Sequence, residues 1–114
     1  MTLETFKNKL QNTPEAIEFS ETMEIIDALY SFTPTAFKNG ELQNNADQNS
    51  GSCKLFAFAK LQEFSKDETL ACFGKFYFDD VIKDPSGTGH QNIRNFMTYG
   101  FDGLVFEGEA LSKK

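Results

Sequence analysis

The dipeptide Asn39-Gly40 lies in the first half of the chain, between two short segments with apolar residues on one side. Asn-Gly is the pair that a two-residue type I′ turn favours, because both central residues of that turn need a positive φ angle. The register set by such a turn places Phe37 opposite Leu42 on one face of the pair. The sequence therefore predicts an antiparallel hairpin over residues 35–44, and with it a fold that contains a sheet.

Five segments outside the hairpin carry apolar residues at helical spacing. The first has Leu3, Phe6 and Leu10 at i, i+3 and i+7, which places the three side chains on one face. The fourth starts with a capping box at Ser65 and keeps its helical spacing as far as Val81, which predicts one continuous helix. The five helices are predicted to begin near Thr2, Ser20, Cys53, Ser65 and Gln91.

Residues 103–107 form a last apolar segment, which predicts a short strand that pairs with the hairpin. Together these elements predict an α+β fold, with about five helices packed on a small antiparallel sheet. The sheet would consist of hairpin 35–44 and the C-terminal strand near 103–107. We expect residues 1–109 to form a single domain and residues 110–114 to form a short C-terminal tail.

The composition limits the classes of partner. The chain has 114 residues, with 13 Phe, 3 Tyr and no Trp, so phenylalanine rings must fill much of one core. The formal net charge is −6 and there is a single arginine, whereas binding to nucleic acid needs clustered Lys and Arg. No apolar run approaches the roughly 20 residues of a membrane span. We therefore expect no nucleic acid or membrane as partner; a protein partner and the oligomeric state stay open.

Two cysteines, Cys53 and Cys72, and one histidine, His90, are too few for a tetrahedral zinc site or a disulfide framework. We interpret both cysteines as free thiols in a reducing compartment. The N-terminus lacks the apolar run of a secretory signal peptide, because Glu4 and Lys7 interrupt it. The expectation is a cytoplasmic bacterial protein without a metal or a cofactor.

The segment Gln48–Cys53 is a polar loop that runs into the third predicted helix. A thiol in the first turn of a helix lies near unpaired N–H groups, which stabilise the thiolate. Papain-like proteases also place their cysteine after Gly-Ser at a helix start. His90 follows in the order that those enzymes require, and Asn92 or Asn95 could orient it. One hypothesis is therefore a cysteine-dependent hydrolase or transferase that uses Cys53 and His90.

The same loop has two other interpretations. Cys53 shares an apolar face with Leu61 and Phe64, where a free cysteine usually behaves as a small hydrophobic side chain. The N–H groups of Ser50, Gly51 and Ser52 can bind an anion at the helix N-terminus, or Ser50 or Ser52 simply caps the helix. A polar pocket at the junction of loops 45–52 and 84–91 would favour ligand binding. The candidate ligand-binding residues are Asn49, Ser50, Gly51, Ser52, Cys53, His90 and Arg94, and no catalytic residue is assigned.

Six ordered blocks resemble the HopJ type III effector protein family over nearly the whole chain. The blocks are residues 26–30, 32–37, 39–40, 48–54, 71–74 and 90–96. The resemblance implies a small bacterial protein named for injection into plant cells by a type III system, and it brings no activity or catalytic residues with it. We interpret the chain as a non-enzymatic binding or interaction protein of this kind.

Residues 2–11 predict an ordered amphipathic helix, whereas type III export signals are typically disordered and poor in acidic residues. A cytosolic binding protein for a small ligand or an anion therefore stays open as an alternative.

Overall fold

The computed structural model describes residues 2–114, and its helices and small antiparallel sheets confirm the predicted α+β fold. Within these residues the α-helices are α1 (Leu3–Asn12), α2 (Phe19–Leu29), α3 (Ser50–Gln62), α4 (Lys66–Ala71) and α5 (Gln91–Tyr99). The strands are β1 (Tyr30–Phe32), β2 (Phe37–Asn39), β3 (Leu42–Asn44), β4 (Leu104–Phe106) and β5 (Leu111–Lys113). Turns of 3₁₀ helix span Pro14–Ala16 and Gly100–Gly103, and a π-helix spans Phe76–Val81.

The strands form a three-stranded sheet in the order β3-β2-β4 and a two-stranded sheet of β1 and β5. Both sheets share one antiparallel register. Moving forward along the chain from Tyr30, and back by the same number of residues from Lys113, gives the pair Phe37 and Phe106. The segment β1–β2 and the segment β4–β5 thus form one ribbon. It is interrupted near Pro34, which has no N–H group to continue the ladder.

The predicted hairpin forms, and β4 pairs with it as expected, but the turn lies one residue later. Asn39 pairs with Leu42 and Phe37 pairs with Asn44, so the two-residue loop begins at Gly40. The predicted pairing of Phe37 with Leu42 is wrong, although both side chains lie on one face of the sheet. Asn39 stays in the strand because its side chain is fully buried and hydrogen-bonded, and Gly40 takes the positive φ of 63°.

The single helix predicted as far as Val81 is wrong, because the chain breaks after α4. Gly74 has a φ of 61°, and a Cβ there would lie 2.9 Å from the main-chain oxygen of Ile17. Both the conformation and the close approach of backbone therefore require glycine. The π-helix that follows turns Phe76 outward, so that the residue is 41% exposed.

Phenylalanine rings fill the centre of the core, as the composition predicts. Phe56 lies in the middle, with ring centroids 6.2, 5.4 and 5.0 Å from those of Phe37, Phe73 and Phe96. These are the separations of favourable aromatic pairs. The core therefore joins α3, β2, α5 and the segment after α4 around one ring.

Both ends of the described chain pack on this core. Phe6 and Leu10 of α1 are 0% and 2% exposed. Residues 110–114, expected as a tail, contain β5, and Leu111 is 2% exposed. Each end is thus packed against the rest of the fold.

Candidate ligand-binding pocket

A pocket of about 490 Å³ opens where α3 and α5 begin. The loops before these two helices meet there, which is the junction that would favour ligand binding. The lining residues are Phe19, Leu42, Asn49, Gly51, Ser52, Phe73, Phe76, His90, Gln91, Asn92 and Ile93. They combine aromatic side chains with the first turns of two helices, and none of them is acidic.

The two helices begin in the same way. Asn49 precedes α3 with φ 51° and ψ 45°, and His90 precedes α5 with φ 55° and ψ 51°. Both residues are left-handed, and neither side chain caps its helix. A left-handed residue followed by helical ones directs successive N–H groups toward one point, which makes a site for an anion. The interpretation of Ser50 or Ser52 as the cap of α3 is wrong, because Asn49 holds the N-cap position.

In both helices the first N–H group that donates an intrahelical hydrogen bond is that of the fourth helical residue. Cys53 N–H donates to the carbonyl of Asn49, and Arg94 N–H donates to the carbonyl of His90. The three N–H groups before each of these donors have no carbonyl four residues earlier within the helix. Six such N–H groups therefore belong to the helix starts that border the pocket, namely those of Ser50, Gly51, Ser52, Gln91, Asn92 and Ile93.

A network of asparagine side chains holds the two helix starts in place. Asn49 Nδ2 donates to Asn44 Oδ1 over 2.7 Å, and Asn92 Nδ2 donates to the same oxygen over 3.0 Å. Asn39 Nδ2 donates to the Asn92 carbonyl over 2.8 Å, and Asn95 Nδ2 donates to the Asn39 carbonyl over 2.9 Å. The network ties the starts of α3 and α5 to the hairpin, so the pocket is formed before any ligand arrives.

His90 lies at the edge of the pocket, where the π-helix supports it. Its Nε2 is 3.1 Å from Asp80 Oδ2, and its ring centroid is 5.4 Å from that of Phe76. Both supporting residues belong to the π-helix, which the sequence did not predict. The contact with Asp80 leaves the other ring nitrogen of His90 without a side-chain partner among residues 2–114.

Cys53 lies on the other side of α3, inside the core. It is 1% exposed, and its Sγ donates to the Thr35 carbonyl over 3.5 Å. Burial raises the pKa of the Cys53 thiol. In residues 2–114 the side-chain partner of His90 is Asp80, and Cys53 does not line the pocket. The two residues of the enzyme hypothesis are not brought together.

Cys72 is also enclosed. Burial, with a smaller contribution from Glu68, raises the pKa of its thiol to about 12. Its main-chain carbonyl accepts a hydrogen bond of 2.8 Å from the Thr22 hydroxyl. Neither thiol is therefore placed as a nucleophile.

Arg94 holds the loop before α5 instead of lining the pocket. Its Nε donates to the Gly89 carbonyl over 2.6 Å, and its Nη1 donates to the Asp84 carbonyl over 2.8 Å. Of the predicted ligand-binding candidates, the structure brings Asn49, Gly51, Ser52 and His90 together around the pocket. Ser50 belongs to the same helix turn, whereas Cys53 and Arg94 lie outside the lining.

Sequence reasoning missed the network that supports the pocket. The sequence predicted Asn44 only as a residue of the hairpin, and Asn92 only as a residue that could orient His90. A signal was present, because asparagine is disfavoured in strands and β2 and β3 each end in one.

Over residues 2–114, no cluster of His, Cys, Asp and Glu could hold a metal ion. In the same range no helix has the length and apolar character of a membrane span.

Two comparisons with known proteins find matches to this chain. The crystal structure of the unknown function protein VPA0580 superposes with a TM-score of 0.97 at 52% sequence identity. The match covers 100% of this chain and 95% of that one. The comparison with curated proteins gives no match. A model of the HopJ type III effector protein family matches residues 3–111. This chain therefore belongs to the HopJ type III effector protein family.

Proposed function

We propose that this HopJ protein is a non-enzymatic binding protein that takes a small ligand in the pocket between the starts of α3 and α5. The ligand would carry a carboxylate or phosphate group attached to a flat apolar group. The observation that supports this proposal best is the convergence of two helix N-termini without side-chain caps on one pocket.

The charge distribution of the helices favours an anion at this place. Each helix N-terminus carries the equivalent of roughly half a positive charge, and its free N–H groups can donate to phosphate or carboxylate oxygens. The protein as a whole has a net charge of −6. Salt screens that charge over about 10 Å, whereas the N–H groups act at hydrogen-bond distance. The local field therefore decides which charge the pocket accepts.

The aromatic side chains favour a flat apolar group beside the anion. Phe19 and Phe73 are nearly parallel, with centroids 6.2 Å apart and an interplanar angle of 12°. Phe76 meets Phe19 edge-on at 5.3 Å. A planar group could pack against these rings, as aromatic groups do in most ligand sites.

Binding is favoured over catalysis because the pocket lacks an activated nucleophile. The buried thiols lie outside its lining, and the side-chain partner of His90 within residues 2–114 is the Asp80 carboxylate, so no hydroxyl or thiol is hydrogen-bonded to the imidazole. Delivery by a type III system, after folding in the bacterial cytoplasm, is a further part of the proposal. Family membership supports it.

Calorimetric titration with phenyl phosphate and benzoate tests the proposal, with neutral benzyl alcohol as the uncharged probe. Both anions should bind more tightly than the alcohol. Ser52→Asp should weaken phenyl phosphate binding about tenfold or more, because the new carboxylate would occupy the N–H groups of α3.

The matched control is Ser112→Asp, which adds the same charge at an exposed residue of β5, a strand that contributes no residue to the pocket. It should leave binding within about twofold of the unmodified protein. Equal binding of the neutral probe, or equal loss in both variants, would contradict the proposal.

A further inference from the structure

The second surface of interest is the outer edge of β4, which shares no lining residue with the pocket. β4 is the last strand of its sheet, because only β2 pairs with it. A free edge presents unpaired N–H and C=O groups, which are a template for another strand. Beside this edge runs a groove of about 440 Å³, bordered by α3 and by the segment that leads to β5.

The hydrogen bonds around β4 show which of its groups face outward. Gly40 N–H donates to the Gly103 carbonyl, and Glu107 N–H donates to the Ala36 carbonyl. In an antiparallel pair, alternate residues face the same partner strand, so the odd-numbered residues of this segment face β2. The N–H and C=O groups of Phe106 therefore point away from β2, toward the free edge.

The groove offers apolar surface next to those main-chain groups. Leu61 of α3 and Val105 of β4 are 55% and 59% exposed. Lys60 lies over the Phe106 ring, with its Nζ 5.8 Å from the centroid. An added strand would hydrogen-bond to β4 and could place alternate apolar side chains against Leu61.

We propose that this edge binds an extended basic and apolar peptide of a partner protein, which adds to β4 as a further strand. Peptide recognition by strand addition draws its affinity from main-chain hydrogen bonds and its specificity from pockets for alternate side chains. The site needs no change in the rest of the fold.

Size and charge favour a peptide over a second copy of the chain. A stable dimer buries about 800 Å² on each partner, whereas the large exposed apolar side chains of this groove are only Leu61 and Val105 among the residues described. Glu107 and Glu109 follow β4, are exposed, and take part in none of the ion pairs formed within residues 2–114. Two copies would bring these carboxylates and their net negative charges together, but a basic peptide would be attracted.

The test uses the full chain and a seven-residue synthetic peptide of alternating valine and threonine with lysine at each end. The control peptide has proline at the central position, which removes one N–H donor and disfavours a strand. NMR titration should shift the amide signals of β4 and protect the Phe106 N–H from exchange. The proline peptide should bind at least about fivefold more weakly than the unmodified peptide.

Two variants locate the binding. Leu61→Lys removes the exposed apolar side chain beside β4 and should weaken peptide binding about fivefold. Ile82→Lys makes the same kind of change at a side chain that is 47% exposed outside the groove, and should have no effect. The proposal is overturned if the peptide shifts no β4 signal, if the proline peptide binds equally well, or if both variants bind alike. Dimerisation of the free chain that Leu61→Lys abolishes would also overturn it, because the occupant would then be a second copy.

Discussion

Asn44 and Asn92 exchange side-chain hydrogen bonds inside the protein, since the Nδ2 of each donates to the Oδ1 of the other, over 3.1 and 3.0 Å. Asn44 ends β3, and Asn92 lies in the first turn of α5. They are 1% and 6% exposed. This pair joins the hairpin to one of the two helix starts that border the pocket, so it links the stability of the fold to the shape of the site.

We predict that Asn92→Ala lowers the free energy of unfolding by about 2–4 kcal/mol. The change removes both side-chain bonds between Asn92 and Asn44 and leaves the buried Asn44 amide group without that partner, whereas Asn39 still donates to the main-chain carbonyl of residue 92. An unsatisfied buried amide costs more than the loss of one exposed hydrogen bond. The control is Asn45→Ala, the same substitution at an exposed residue just after the hairpin, which should change stability by less than about 0.5 kcal/mol. Urea denaturation measures both. Equal small effects would show that the network contributes little.

Deletion of residues 2–13 should remove the cooperative unfolding transition. α1 contributes Phe6 and Leu10 to the core, and each fully buried side chain of this size stabilises the fold by roughly 1.5–3 kcal/mol. The total is comparable with the whole stability of a small domain. Thermal unfolding of the truncated and the full chain gives the answer. An unchanged transition would mean that α1 is detachable, as a separate export signal would be.

Both cysteines should resist alkylation in the folded protein. Burial raises the pKa of each thiol, and the thiolate fraction below the pKa falls about tenfold for every unit of that rise. Iodoacetamide at pH 8 should therefore modify neither thiol before unfolding and both in denaturant. The variant Cys72→Ala isolates Cys53. Rapid modification of Cys53 in the folded variant, persisting below pH 7, would revive the enzyme hypothesis.

The strongest local patterns of the sequence predicted the main elements of the fold. Leu3, Phe6 and Leu10 identified α1, and Asn39-Gly40 identified the hairpin. The exact turn was not predictable from that pair, because Asn39 is held in β2 by a hydrogen bond to Asn92, which is 53 residues away. Tertiary contacts of this kind override local turn preference.

The break after α4 was missed for a related reason. Gly74 occurs within a regular helical pattern, where glycine is tolerated, and only its contact with the segment around Ile17 requires a left-handed residue. β1 and β5 were missed because they pair with each other across nearly the whole length of the chain, and no local pattern signals such a pairing.

The candidate site was predicted in part. The loop before α3 was chosen for its polar residues and its place at a helix start, and Asn49, Gly51 and Ser52 do line the pocket. The apolar face that carries Cys53 already indicated burial, but the sequence could not decide between the core and the pocket. The left-handed conformations of Asn49 and His90 were not predicted, although asparagine and histidine adopt positive φ angles more often than most residues.

The most direct test of ligand binding is an NMR titration of the ¹⁵N-labelled protein with phenyl phosphate, followed at the main-chain amides. We predict saturable shifts concentrated at residues 50–52 and 91–93, the N–H groups that precede the first intrahelical hydrogen bonds of α3 and α5. Ser52→Asp should abolish the shifts at residues 50–52, whereas Ser112→Asp should leave them in place. Shifts that are absent at these six amides, or that spread evenly over the surface without saturating, would contradict anion binding at the starts of α3 and α5.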